Sequence, residues 1–275
     1  MNTLTANQDA SKPKVILVLG SGGSRGLAHV GVIEELENLG IVPDAIVGCS
    51  AGAIVGALYA QHRDIAKVKE ILINLKQEDL VDWSLFQKFA ISKRDKFEKF
   101  LSDNLTTNDF SALEIPFATV VTDLNKGEPV YLQEGELHPA VLASAALPAL
   151  FPPYQMGEQV YVDGGVCDPL PVQFARTWKE GIVIASDISP LLDSCEFENL
   201  AEVVLKSFEV AYQRLAYFSQ QEADILLKMN FTNIDPLDDS HNIKFYEKGK
   251  EVTREHSKEI KEKILSASPH LQNSD

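Results

Sequence analysis

The pentapeptide Gly48-Cys49-Ser50-Ala51-Gly52 has the pattern G-x-S-x-G, in which small residues around a serine let the chain turn sharply from strand into helix and leave the hydroxyl exposed. A serine so placed is a candidate nucleophile for acyl transfer, and it needs a base to take its proton. The usual base is a histidine that follows an acid along the chain. His241, His256 and His270 are candidates by order. However, His241 sits in the polar run Asp238-Asp239-Ser240-His241-Asn242, His256 lies inside a charged helical pattern, and His270 is close to the C-terminus. None has the signature of a loop that closes a triad, which leaves room for a different base.

Two further segments carry residues able to act on such a serine. Val160-Tyr161-Val162 runs into Asp163-Gly164-Gly165. That order reads either as a strand delivering one carboxylate onto a loop where glycines permit close approach, or as an ordinary turn. Asp168, before Pro169, reads as a turn or cap residue. Gly20-Ser21-Gly22-Gly23-Ser24-Arg25-Gly26 follows an apolar run and opens a helix, so its amides can converge on negative charge. They would hold either a dinucleotide phosphate or the oxyanion of a tetrahedral intermediate. The spacing is G-x-G-x-x-x-G rather than G-x-G-x-x-G, and the second strand meets the serine turn instead of ending in an acid, so the nucleotide reading is the weaker.

The elements that must position these residues alternate. Val15–Leu19 reads as a buried strand, 27–39 as a helix stopped by Gly40, 45–47 as a second strand and 53–60 as a second helix, an order that parallel α/β folds require. Residues 65–105 read as more polar and helical. Further strands are expected at 117–122, 130–132, 160–162 and 182–187, with a short helix at 172–179 between the last two. From residue 200 onward Val203, Val204, Phe208, Ala211, Leu215 and Phe218 recur at helical spacing. Residues 225–231 are ambiguous, and 248–265 form a charged helix.

With 275 residues, 45% of them hydrophobic, the chain can bury a sizeable core. Its net charge of −15 repels nucleic acid and anionic bilayers, and no nucleic-acid partner is expected. Cys49, Cys167 and Cys195 lack metal-ligand spacing and read as free thiols in a reducing compartment. Residues 1–13 do not resemble a signal peptide, and no run approaches the roughly 18 apolar residues of a membrane span. The expectation is a cytoplasmic protein, with peripheral contact at the inner membrane face as an extension. That contact would use residues 86–101, where five cations and two acids interleave with large apolar residues between Lys88 and Phe100. An ordinary solvated helix face explains the same pattern.

Taken together, the 19–32 glycine segment, the Gly48 to Gly52 turn and Asp163-Gly164-Gly165 resemble the patatin-like phospholipase family, most closely its small single-domain bacterial members. Thr122-Asp123-Leu124, Ala143-Ser144-Ala145-Ala146-Leu147-Pro148 and Phe151-Pro152-Pro153 add to the likeness, which covers roughly 14–187. The resemblance implies a three-layer α/β/α fold with a mostly parallel central sheet, a flexible tail over 1–12 and one domain over 13–270. It also implies a dyad, with Ser50 as nucleophile, Asp163 as general base, and Gly22, Gly23 and Arg25 holding the oxyanion. Gly20, Gly26, Gly48, Gly52, Gly164 and Gly165 would shape the turns. The implied substrate is a phospholipid, lysophospholipid or other lipid acyl ester, with no metal or organic cofactor. Ser21 departs from the pattern, since many members have glycine there. A free aspartate, with a pKa near 3.9, is a poor base for serine, so Asp163 should be buried beside Ser50. A non-catalytic binder that kept the fold, and a Ser-His-Asp esterase acting on small esters, are the alternatives.

Overall fold

Five consecutive apolar residues, Val15–Leu19, form β1, and all are buried, as in a strand covered on both faces. Its side chains divide between two cores: Val15, Leu17 and Leu19 face one, Ile16 and Val18 the other. The computed structural model describes residues 14–82, 90–189, 200–231 and 241–267. The expected tail over 1–12, His270, Cys195 and part of the 86–101 segment lie outside them.

After β1 come α1 (Leu27–Asn38), β2 (Ala45–Gly48), α2 (Ala51–His62), α3 (Ile65–Ile73), α4 (Gln77–Leu80) and α5 (Asp95–Asn104). The middle of the chain gives β3 (Phe117–Asp123), β4 (Glu128–Leu132), α6 (Leu137–Ser144), β5 (Tyr154–Met156) and β6 (Gln159–Asp163). Then follow α7 (Val172–Trp178), β7 (Ile182–Asp187), α8 (Leu200–Gln220), β8 (Ile225–Lys228), α9 (Asn242–Glu255) and α10 (Ser257–Ser266). The strands order as β5-β6-β3-β2-β1-β7-β8, with β4 also paired to β3. The pairings from β3 through β2, β1 and β7 to β8 are parallel, and those of β4, β5 and β6 are antiparallel. Helices α1, α2 and α9 cover the first core, and Val172, Ala175 and Ala216 of α7 and α8 cover the second. The result is the three-layer, mostly parallel arrangement that the sequence predicts.

Register along β3 decides where the site forms. Its first half pairs with β2, Gly48 opposite Thr119, while further along it pairs with β6, Asp163 opposite Val121. The end of β6 therefore arrives just beyond the end of β2, bringing together two segments that lie 113 positions apart in sequence.

Several elements differ from expectation. The polar helical region breaks into α3, α4 and α5, and 225–231 begins as strand β8. The single helix expected over 248–265 starts at Asn242 and breaks at His256 into α9 and α10. Helix α6 and strand β5 were not expected. The α6 sequence is apolar or small almost all round, so it carries no amphipathic period, and its Pro139 sits in the first turn, where a missing N–H costs nothing. Helices α1 and α9 cross closely because glycines face each other's backbone: a Cβ on Gly31 would strike the Tyr246 carbonyl, and one on Gly249 the Ala28 carbonyl.

Candidate active site

Ser50 occupies the turn between β2 and α2 with φ 54° and ψ −115°, a region that a residue with a Cβ enters only at a cost of about 1–3 kcal/mol. Packing imposes the conformation. A Cβ on Gly52 would overlap the Leu19 carbonyl, and one on Gly48 would come within 2.7 Å of the Ala53 Cα. The Ser50 amide donates to Ser144 Oγ at 3.0 Å, which ties the turn to the end of α6. The serine thus stands at the positive N-terminal end of α2.

Its hydroxyl donates to Asp163 Oδ2 at 2.6 Å. The Asp163 side chain is fully buried at the end of β6, and its Oδ1 accepts the Gly165 amide at 2.8 Å. Burial pushes the carboxyl up to about 7, against the opposing influence of the Ser50 and Gly165 donors and of the nearby Tyr212 phenol. Near neutral pH such a carboxylate is a far better proton acceptor than an exposed aspartate. Gly164 packs on the Val120 carbonyl and leaves no room for a side chain.

The 20–26 loop lies beside this pair. The Gly20 amide donates to the Ser186 carbonyl at 3.1 Å and the Ser21 amide to the Pro169 carbonyl at 2.8 Å, so neither is directed at a ligand. Ser21, Gly22 and Gly23 all line the cavity, but with the Ser21 amide taken up by Pro169 the backbone donors left to the inner rim there are those of Gly22 and Gly23. Gly23 has φ 59°, where glycine is at ease. Arg25 does not reach toward Ser50 but folds back: its Nε donates to the Gly22 carbonyl at 3.0 Å and its Nη2 meets Glu209 of α8 at 2.9 Å. With that carbonyl held at Arg25, the Gly23 N–H, trans across the same peptide, points the other way. Gly26 packs against Ala51, to which an added Cβ would come within 2.9 Å.

The remaining candidates take structural positions. His256 Nδ1 pairs with the Val252 carbonyl at 2.8 Å, and His241 opens α9. His29 is buried behind the glycine loop, bonded to the Gly20 carbonyl and to Ser186 Oγ, and burial lowers its pKa to about 4, so it is neutral. Burial raises the Cys49 thiol well above its ordinary range. Asp168 accepts from the Tyr131 hydroxyl at 2.7 Å rather than facing Ser50. Among the described residues no group of three or more His, Cys, Asp or Glu side chains could hold a metal ion.

A cavity of about 330 Å³ opens from Ser50, Asp163 and the glycine loop, with mostly apolar walls. Leu147, Leu150, Phe151 and Phe97 belong to it. Leu72, Leu75 and Leu80 from α3 and its neighbourhood, and Tyr212 of α8, also line it although the sequence does not single them out, and Phe208 of the apolar face of α8 joins them. In α5, Phe97 and Leu101 turn into the core while Lys96 and Lys99 face outward, the pattern of a solvated helix. Among the described residues no helix is long and apolar enough to cross a membrane.

Known proteins resemble this chain in sequence and in fold. The family model described as Patatin-like phospholipase matches residues 17–176, more than half of the chain. Over 165 residues the chain is 36% identical to an uncharacterized NTE family protein of Mycobacterium tuberculosis, a match covering 59% of this chain and 46% of that protein. Lysophospholipase nte1 of Aspergillus fumigatus is 29% identical over 183 residues, covering 65% of this chain and 12% of the fungal protein. The chain thus spans less than half the length of these relatives. Among solved structures, VipD from Legionella pneumophila shares the fold, with a TM-score of 0.57 at 15% identity, over 90% of this chain and 67% of that one.

Proposed function

Because the chain belongs to the patatin-like phospholipase family, we propose that it is a lipid ester hydrolase in which Ser50 and Asp163 act as a dyad. The observation that carries this reading is the 2.6 Å bond from the Ser50 hydroxyl to a buried carboxylate at the mouth of an apolar cavity. As Ser50 Oγ attacks the acyl carbonyl, its proton passes to Asp163 Oδ2. The oxyanion forms against the Gly22 and Gly23 amides and the positive end of α2, with Arg25 acting on the loop rather than on the oxyanion. Collapse of the intermediate breaks the ester bond. The leaving alcohol takes the proton from Asp163, and the acyl group stays on Ser50. Water then attacks the acyl-serine, giving its proton to Asp163, and the fatty acid leaves as Ser50 is reprotonated. None of these steps calls for a metal or an organic cofactor.

The cavity favours a lipid acyl chain over a short soluble ester, since its walls gain most from contact with methylenes. Residues 13–270 are read as one domain carrying all of this machinery. The test is hydrolysis of esters of graded chain length, phospholipid and lysophospholipid included, alongside fluorophosphonate labelling. Cleavage that grows with chain length and labelling lost in Ser50→Ala are expected. An unlabelled Ser50 would instead identify a binder that kept the fold.

A further inference from the structure

Tyr212 stands out among the buried polar groups because its hydroxyl has no hydrogen-bond partner of normal geometry, although it faces the carboxylate of Asp163. The side chain is 6% exposed and enters the site from α8, an element outside the family-matched segment. Its ring is seated over Gly165: a Cβ there would come within 2.8 Å of the ring and 3.0 Å of Asp163 Oδ1. The glycine therefore makes room for the tyrosine and the aspartate at one spot. Three residues before Tyr212, about one turn back along the same helix, Glu209 holds Arg25.

We propose that Tyr212 is a positioning residue for the reaction, its phenol acting as the donor that holds Asp163 as a carboxylate whenever the Ser50 hydroxyl leaves Oδ2. The proposal rests on the Ser50–Asp163 dyad. In the resting enzyme Asp163 has two donors, Ser50 and Gly165. Once Ser50 is acylated its O–H is gone, and a buried carboxylate with a single donor is strongly disfavoured. The Tyr212 phenol, whose ring lies over Gly165 beside the same carboxylate, is the group placed to supply a second donor. The titratable groups facing Asp163 are Tyr212 and the Cys49 thiol, and burial keeps both neutral. The tyrosine's influence on Asp163 is toward the ionised form.

The experiment is the pH profile of kcat on an ester whose acyl-enzyme accumulates, so that deacylation is read, for wild type and Tyr212→Phe, which keeps the ring on Gly165 and removes the hydroxyl alone; fluorophosphonate labelling of both proteins is the control for the dyad. The acid limb should move up by about one to two pH units, the size of a lost hydrogen bond to a charged group, with activity recovered at alkaline pH. A fluorinated tyrosine at 212, a stronger donor of nearly the same shape, should move the limb down. If the profile of Tyr212→Phe coincides with wild type, or activity falls equally at every pH, Tyr212 only packs and the proposal is overturned. A wild type inert to esters and phosphonate would overturn the dyad reading and this one with it. Reactive wild type, inert Ser50→Ala and an unmoved limb would overturn this inference alone.

Discussion

The Nε of Arg25 donates to the carbonyl of Gly22 at 3.0 Å, and the neighbouring Nη2 of the same guanidinium meets Glu209 at 2.9 Å. One planar group thus fixes the direction of a loop peptide and ties that loop to α8. Lysine offers one compact ammonium in place of the planar fork and cannot reproduce the fixed spacing of the two bonds. Arg25→Lys should lower kcat by roughly ten- to a hundredfold with a smaller change in KM, less than the 10²–10³ typical when an oxyanion donor itself is removed. Steady-state kinetics on one ester checks this, and an unchanged kcat would show that the loop keeps its shape unaided.

Ser50 holds an unfavourable backbone conformation that glycine adopts freely. Ser50→Ala and Ser50→Gly both remove the hydroxyl and should both be inactive, yet they should differ in stability. The glycine variant is expected to be the more stable by about 1–2 kcal/mol, since it releases the strain that alanine retains. Urea unfolding of the two variants measures the difference, and equal midpoints would mean the turn is unstrained.

Protonation of Asp163 should govern both rate and stability. Its folded pKa of about 7 lies above the ordinary 3.8. Activity should therefore fall as pH drops through about 7, with a limiting slope of one proton. For stability the sign follows from proton counts. Between about 4 and 7 the folded protein binds the proton more tightly than the unfolded chain, so wild type loses stability as pH rises across that window. Asp163→Asn should be inactive and lack this loss, gaining on wild type above pH 7. Thermal scans at pH 5 and 8 compare them.

Ile54, one helical turn after Ser50, lines the cavity beside the nucleophile. Ile54→Trp should fill space that an acyl chain would occupy. Long-chain esters should lose about tenfold or more in kcat/KM while acetyl esters change little. A uniform loss across chain lengths would place the acyl chain elsewhere.

The serine turn was legible in sequence because its neighbours must be small: Gly48 and Gly52 are demanded by backbone contacts that leave a pattern at fixed spacing. The same holds for the glycine loop. Asp163 was legible only in part, since Asp-Gly-Gly marks many turns and only the pairing of β3 with β6 brings it to β2. The folding back of Arg25 depends on Glu209, 184 positions away, and no local pattern announces it. Helical periodicity placed Phe208 on the apolar face of α8 but gave no sign that Tyr212 would rest on Gly165. Ser144 was visible as part of a motif, whereas its bond to the Ser50 amide depends on how α6 is seated.

The close crossing of α1 and α9 bears on how small a working fragment can be. Helix α1 is the direct continuation of the glycine loop, and α9 locks onto it through Gly31 and Gly249 with no side chains between the backbones. A polypeptide ending at residue 231 would keep every strand of the sheet, Ser50 and Asp163, yet it would bare the groove on α1 and uncover Phe231, whose ring packs edge-on against Phe245 of α9. Such a truncation should bind a hydrophobic dye and aggregate, and adding back a peptide of residues 241–267 should restore a monodisperse protein. The smallest fragment expected to stay folded is therefore set by a late helix far from Ser50 and Asp163.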